Sequence, residues 1–346
     1  MMYVGLDVHK QVCYGTVMDE KGKVVKQAKF TNDLEALDEF MEGLDEALVA
    51  MEAGYCWQPI YDWLEEAGHG VKLAHPLKVK AIAEAKVKTD KIDSETLSHL
   101  LRADLLPESY VPPRDIRELR DRVRRRAFLV GMRTMLKNRV QADLAKQGIS
   151  TGGPLWTREG RELLRGLGLE AVDQVLPVMD ALDRQIAKMS WGLKRMCGED
   201  PRARLLTTIP GVGYYLALLL VSEIGDVRRF PDSEKLCSYA GLVPSVRRSG
   251  GSAYHGGITR EGSRWLRWGL SQAVHVHLRS ETDLTRFYRR LAGKKPKQVA
   301  VMATARKMLK VVYWMLRNNE PYHPGPGVVD PVAGVGYSSE TDVTPT

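Results

Sequence analysis

Four carboxylates stand where they could serve one piece of chemistry: Asp7 in YVGLDVH, Glu52 in ALVAMEA, and Asp90 and Asp93 in KTDKIDS. An ionised aspartate inside an otherwise apolar strand is too costly unless it is paired or bound to a metal. Glu52 ends a second apolar strand, and strand ends of α/β sheets line the ligand crevice. Asp90 and Asp93 lie three apart at a helix start, so both can face the same side of one turn. The plainer alternative is a cap or first-turn role for Asp90 and solvent for Asp93. Carboxylates are natural ligands for Mg²⁺. One or two such ions would suit hydrolysis or transesterification of a phosphodiester, bringing up the attacking oxygen and neutralising the leaving one. His9 and Lys10 read as structural or phosphate-facing.

A second constellation lies toward the other end. Residues 204–226, RLLTTIPGVGYYLALLLVSEIGD, set Gly211 and Gly213 between two helical stretches. This looks like a helix-hairpin-helix, in which glycines allow a tight turn and the N–H groups of the next helix hold a phosphate. A plain helix connection is the alternative. From Tyr239 to Leu270, serines and glycines mix with Arg247, Arg248, Arg264 and Arg267 and with aromatics. Such a stretch reads as a phosphate-contacting loop leading into a basic helix. Residues 202–310 carry 20 Lys/Arg against 7 Asp/Glu, which favours a nucleic-acid face over a merely solvated one.

The elements that must position these residues follow from periodicity. Three strands, about Tyr3–Val8, Val12–Met18 and Val24–Phe30, form an antiparallel meander. A helix at Leu34–Leu44, a strand at Ala47–Glu52, a helix at Gln58–Glu66 and a strand at Val71–Ala74 then extend the sheet in parallel. That order is shared by ribonuclease-H-like and other mixed α/β folds. Pro107, Pro112 and Pro113 end the unit, giving a boundary at 113. From Arg114 to about Gln147 a long proline-free stretch reads as one arginine-rich helix, with Arg120, Arg124, Arg125 and Arg126 offered to nucleic acid. A second helix, about Val172–Cys197, could pair with it as an antiparallel or intermolecular coiled coil. The basic helical linker thus covers 114–200 and a mostly α C-terminal domain 201–320. A disordered tail is expected over 321–346, above all from Pro326 on.

Charge is distributed unevenly over the 346 residues. Residues 1–113 hold 12 Lys/Arg against 20 Asp/Glu, 114–146 hold 11 against 4, and the remainder 28 against 19. The acidic front suits a metal site and the basic remainder a polyanion. No apolar run approaches the roughly 20 residues of a membrane span. MMYVGLDVHK lacks the apolar core of a signal peptide, so a cytoplasmic location is expected. Four cysteines without a CxxC pair argue against a disulfide framework or a structural zinc site.

GLDVHK at 5–10, MEA at 51–53 and KTDKIDS at 88–94 resemble the N-terminal motifs of the DEDD transposases of bacterial insertion sequences, the bridge-RNA-guided insertion sequence 110 family. The resemblance implies a RuvC-like, ribonuclease-H-like fold and maps the family's four acidic residues onto Asp7, Glu52, Asp90 and Asp93. It covers about residues 3–315, although 114–200 matches in helical character alone. It also implies a serine nucleophile in the C-terminal domain. Ser249 in RRSGG is the match, with Ser245, Ser252 and Ser263 as rivals, and Arg247 and Arg248 placed to stabilise a phosphoryl intermediate. The implied partners are donor and target double-stranded DNA, a guide RNA and further copies of the chain in a homodimer or homotetramer. A metal-and-water DNA junction nuclease and a non-catalytic nucleic-acid scaffold are the alternatives. A covalent protein–DNA adduct separates the first from a recombinase, and metal-dependent cleavage would dismiss the second.

Overall fold

A computed structural model describes residues 1–82, 89–151, 153–249, 252–259 and 261–325, with backbone alone at 246–249 and 252–255. The chain divides into two units between Pro112 and Pro113.

In the first unit, β1 (Met2–Val8), β2 (Val12–Met18) and β3 (Val24–Thr31) form the meander. Next come α1 (Leu34–Met41), β4 (Ala47–Glu52), α2 (Trp57–Glu66), β5 (Gly70–Ala74), α3 (Pro76–Ile82) and α4 (Asp90–Arg102). The sheet order is β3-β2-β1-β4-β5, antiparallel through β1 and parallel beyond it. Strand side chains alternate between faces. Val4, Leu6, Val49 and Met51 therefore face α1 and α2, where they pack with Leu37, Phe40, Ile60 and Leu64. Ala50 and Ala74 face the opposite way, against Val79 of α3 and Leu97, Leu100 and Leu101 of α4. The result is a three-layer mixed α/β unit with α4 covering the centre of one face.

The second unit is mostly helical: α5 (Arg114–Lys146), α6 (Arg158–Gly166), α7 (Glu170–Glu199), α8 (Pro201–Leu206), α9 (Tyr214–Ile224), α10 (Ser233–Tyr239), α11 (Arg264–His277), α12 (Asp283–Ala292) and α13 (Lys297–Asn318). α5 and α7 pair antiparallel within one chain. Val123 and Ala127 share a core with Leu193 and Cys197, Val130 meets Ile186 and Leu182, and Val140 and Leu144 pack near Val172 and Leu176. Their hydrophobic seams are thus covered by each other, while Arg161 from α6 braces Asp180 and Asp183 of α7. α9 is enclosed on all sides, with Leu218, Leu219, Leu220 and Ile224 fully buried. The start of α5 also enters this core through Leu119 and Val123, so the linker helix and the C-terminal helices form one body.

Two expectations change here. The segment expected as a phosphate-contacting loop is a two-stranded antiparallel hairpin, β6 (Pro244–Ser249) with β7 (Ser252–Ile258). Gly250-Gly251 between two strand-like runs was the readable hairpin signal. The chain from 321 to 325 is also anchored: the Tyr322 N–H donates to Thr208 Oγ1 at 3.0 Å, and its ring lies edge-on to His277. The expected disorder of residues 326–346 falls outside the described residues. No described helix is long and apolar enough to cross a membrane.

Candidate active site

Asp7 is the next-to-last residue of β1, and its side chain is 11% exposed. Two features bring α4 against this strand. A Cβ on Gly5 would sit 2.0 Å from the Ser94 carbonyl oxygen, so the helix backbone lies where a larger residue would push it off. Buried hydroxyls then fasten the two elements together: Thr16 and Ser94 share a 2.7 Å hydrogen bond, and Ser98 Oγ donates to the Thr16 carbonyl at 3.0 Å. α4 runs antiparallel to β1, with its N-terminus at the Asp7 end. Thr89 starts it, its Oγ1 accepting from the Ile92 N–H at 3.3 Å. That start places Asp90 beside Asp7.

His9, just beyond the strand, joins them. Its Nε2 lies 3.1 Å from Asp7 Oδ2 and 3.4 Å from Asp90 Oδ1. Ligand atoms of Asp7, His9 and Asp90 all fall within 4.8 Å of one another. Glu52 lies on the same face. Leu6 pairs with Met51 in the parallel register, so Asp7 and Glu52 end adjacent strands, and both fall in step with Gly5 and Ala50, which face α4. Asp93, one turn along α4, is close enough for its charge to act on Asp7. Glu52 and Asp93 stand outside the 4.8 Å group. Burial pushes the Asp7 carboxyl above its usual range; His9 opposes this, and the charges of Asp90 and Asp93 reinforce it. Clustered hard oxygen donors of this kind fit a divalent cation such as Mg²⁺.

A model for the IS110 DEDD transposase domain matches residues 4–147, and one described as the IS116/IS110/IS902 transposase family matches residues 203–289. The chain belongs to the IS110 transposase family. Relatives of this IS110-family chain include a probable family 20 transposase of Pseudomonas aeruginosa, 28% identical over 93% of this chain and 98% of its own length. The transposase for insertion sequence element IS1111A of Coxiella burnetii is 26% identical over 93% and 91% of the two chains. A pilin gene-inverting protein of Moraxella bovis is 27% identical over 80% and 81%.

In this transposase the second constellation divides into structural and exposed groups. Of the four α5 arginines expected at nucleic acid, Arg120, Arg124 and Arg126 are engaged within the fold. Arg120 donates to the Ser222 carbonyl at 2.8 and 3.1 Å, and Arg124 lies 2.7 Å from Glu223. Arg126 is buried, donates to Ser190 Oγ and lies 4.6 Å from the Tyr215 ring centre. An amphipathic helix this rich in arginine places some of them on its packed side, where a buried carboxylate, a carbonyl or an aromatic face satisfies them. Arg125 is exposed. Arg267 holds the Ala240 carbonyl at 2.8 Å, whereas Arg264 is exposed and lies over Trp265. Gly211, with φ +89°, is required by packing, since a Cβ there would meet the Ala273 carbonyl at 2.6 Å; Gly213 is exposed as the N-cap of α9.

Ser249 ends β6, paired with Ser252 across the hairpin. The side chains of Arg247, Arg248, Ser249 and Ser252 lie outside the described residues. Ser263, a rival serine, is engaged twice: it caps α11 by accepting from the Leu266 N–H and donates to Glu223 Oε2 at 2.9 Å. Sequence reasoning missed this Glu223 junction, where a buried carboxylate joins α5, α9 and the start of α11. It also read His9 as structural or phosphate-facing ahead of a metal-ligand role, whereas the structure sets His9, just past β1, beside both Asp7 and Asp90.

Proposed function

We propose that this chain cuts and rejoins DNA strands, with Asp7, Glu52, Asp90 and Asp93 holding one or two Mg²⁺ ions in a RuvC-like unit and Ser249 acting as nucleophile. The observation that carries it is the meeting of Asp7, His9 and Asp90, with Glu52 at the adjacent strand end, in a chain that matches transposases over both halves. Bound there, the metal would supply charge to offset that developing on the phosphate. Asp7, buried on its strand, and Asp90, fixed by the Thr89 cap, supply pre-placed carboxylates; His9 orients both. Ser249 Oγ attacks phosphorus, the P–O3′ bond breaks, and the serine proton ends on the departing 3′ oxygen. The 5′-phosphoserine ester conserves the phosphodiester's energy, so another 3′ hydroxyl can reverse the step and join to a new partner. α8, the 207–213 segment and α9 serve as a helix-hairpin-helix that grips the DNA backbone. Arg125 and Arg264, on basic and exposed surface, contact phosphates of DNA or of a guide RNA.

The test traps the reaction on a nicked suicide DNA and locates the modified peptide by mass spectrometry. A nucleotide on Ser249, lost in Ser249→Ala and absent in Asp7→Asn, is the expected result. Cleavage without any adduct would establish the water-using nuclease instead.

A further inference from the structure

Tyr55 stands three residues beyond Glu52 in the connection from β4 to α2, and it is 94% exposed. The other aromatics of this segment are used internally. Trp57 and Tyr61 meet edge to face at 5.5 Å and pack against the core. Tyr55 has no hydrogen-bond or ring partner among the described residues. Leu77, at the start of α3, is 76% exposed, and β5 before it ends at Ala74, the register partner of Glu52. Two large exposed side chains thus follow the ends of β4 and β5, next to the strand ends that bear Asp7 and Glu52. Single exposed apolar residues are ordinary. What distinguishes these is their place, for three residues of chain span at most about 10 Å. The Tyr55 ring can therefore reach a nucleotide adjoining any phosphate held at Glu52.

We infer that Tyr55 is a stacking platform for an unstacked nucleobase next to the phosphate bound at the acidic site, with Leu77 adding apolar surface at the same edge. This rests on the acidic site acting on DNA as proposed above. An intact duplex hides its base faces, so the occupant is a nucleotide drawn out of its stack or lying at a strand end. Every base offers a π-face, so the platform fixes position without selecting sequence. Such a division of labour suits an enzyme whose sequence choice comes from elsewhere.

The experiment uses the full chain and a DNA substrate carrying 2-aminopurine in turn at the nucleotides on either side of the cleaved phosphate. Tyr55→Ala should abolish the fluorescence quench at one of them and slow cleavage roughly 5- to 100-fold. Tyr55→Phe and Tyr55→Trp should retain both, and thermal unfolding should not change, because the side chain is outside the core. An unchanged quench and rate in Tyr55→Ala would overturn the inference, as would a Tyr55→Phe variant as impaired as Tyr55→Ala, since the hydroxyl would then be the working group. Asp7→Asn is measured in parallel. If it fails to cleave while Tyr55→Ala is normal, the acidic-site reading stands and the platform falls; if Asp7→Asn cleaves, both fall.

Discussion

Asp7 is held among groups that act on its charge in opposite directions. Burial raises its pKa above the ordinary 3.8, the His9 ring offsets part of this, and Asp90 and Asp93 push it further up. The folded value thus exceeds the unfolded one. The contribution of this group to stability is complete below about pH 4 and is lost as pH rises through the folded pKa. At neutral pH without metal, the ionised carboxylate works against the fold, as metal sites commonly do before loading. Asp7→Asn should therefore melt a few degrees higher than the wild type at pH 7 in EDTA, with the gap closing as pH falls through the carboxylate range. Added Mg²⁺ should raise the wild-type midpoint and leave the variant nearly unmoved. Calorimetry across pH checks both, and a variant less stable than the wild type at pH 7 would show that Asp7 is held by its neighbours rather than poised for a cation.

At the scale of elements, α5 separates arginines that build the fold from those that face outward. Arg126→Ala should cost about 1–3 kcal/mol of stability, because it removes a buried hydrogen bond and the stack on Tyr215. Arg125→Ala should change stability by less than about 0.5 kcal/mol. It should also flatten the salt dependence of nucleic-acid binding by roughly 0.7–0.9 for each phosphate that the arginine neutralised. Denaturant unfolding and binding titrations at several salt concentrations would read the two effects separately. Equal effects from both residues would refute the division. The same helix shows what was legible in the sequence. Its span was readable to within a residue, because a long proline-free run with helical apolar spacing leaves few alternatives. Strands β1 to β5 were equally plain, since apolar alternation bounded by turn residues marks them directly. Which arginines turn inward was not readable, because their partners, Ser222, Glu223 and Ser190, lie tens of residues away. The staple of Thr16, Ser94 and Ser98 was hidden for the same reason: three small polar residues acquire meaning when two elements touch. Asp7 stands out in the sequence because a charge in an apolar strand is conspicuous by itself, whereas Asp90 and His9 become conspicuous once α4 brings them beside it.

At the scale of the whole molecule, the two units carry opposite charge. The first, with a net balance of −8, has its own core and the acidic cluster; from Pro113 onward, 39 Lys/Arg stand against 23 Asp/Glu. Neither the carboxylates nor the serine would complete strand exchange alone under the proposed mechanism. Under the proposed mechanism the acidic unit of one protomer could serve the serine unit of another, and mixing two dead variants tests this. Asp7→Asn and Ser249→Ala should each be inactive as pure preparations. If the two halves of one active site come from different protomers, a mixed dimer carries one doubly damaged site and one intact site. Random assortment of equal amounts then restores about a quarter of the wild-type sites in a closed two-fold assembly. If both halves come from the same protomer, every site in every mixed dimer contains one lesion, and mixing restores nothing. The measurement is strand exchange after co-refolding or prolonged co-incubation, with Asp7→Asn/Ser249→Ala double-mutant protein mixed with wild type as the control for exchange of subunits. With sites that act independently, subunit exchange lowers this control to about a quarter of the wild-type sites if each site draws on two protomers, and leaves it at the one half of simple dilution if each site draws on one. Recovery in the first mixture, against none in either single variant, would locate the partner chain as a contributor to chemistry and make oligomerisation a catalytic requirement.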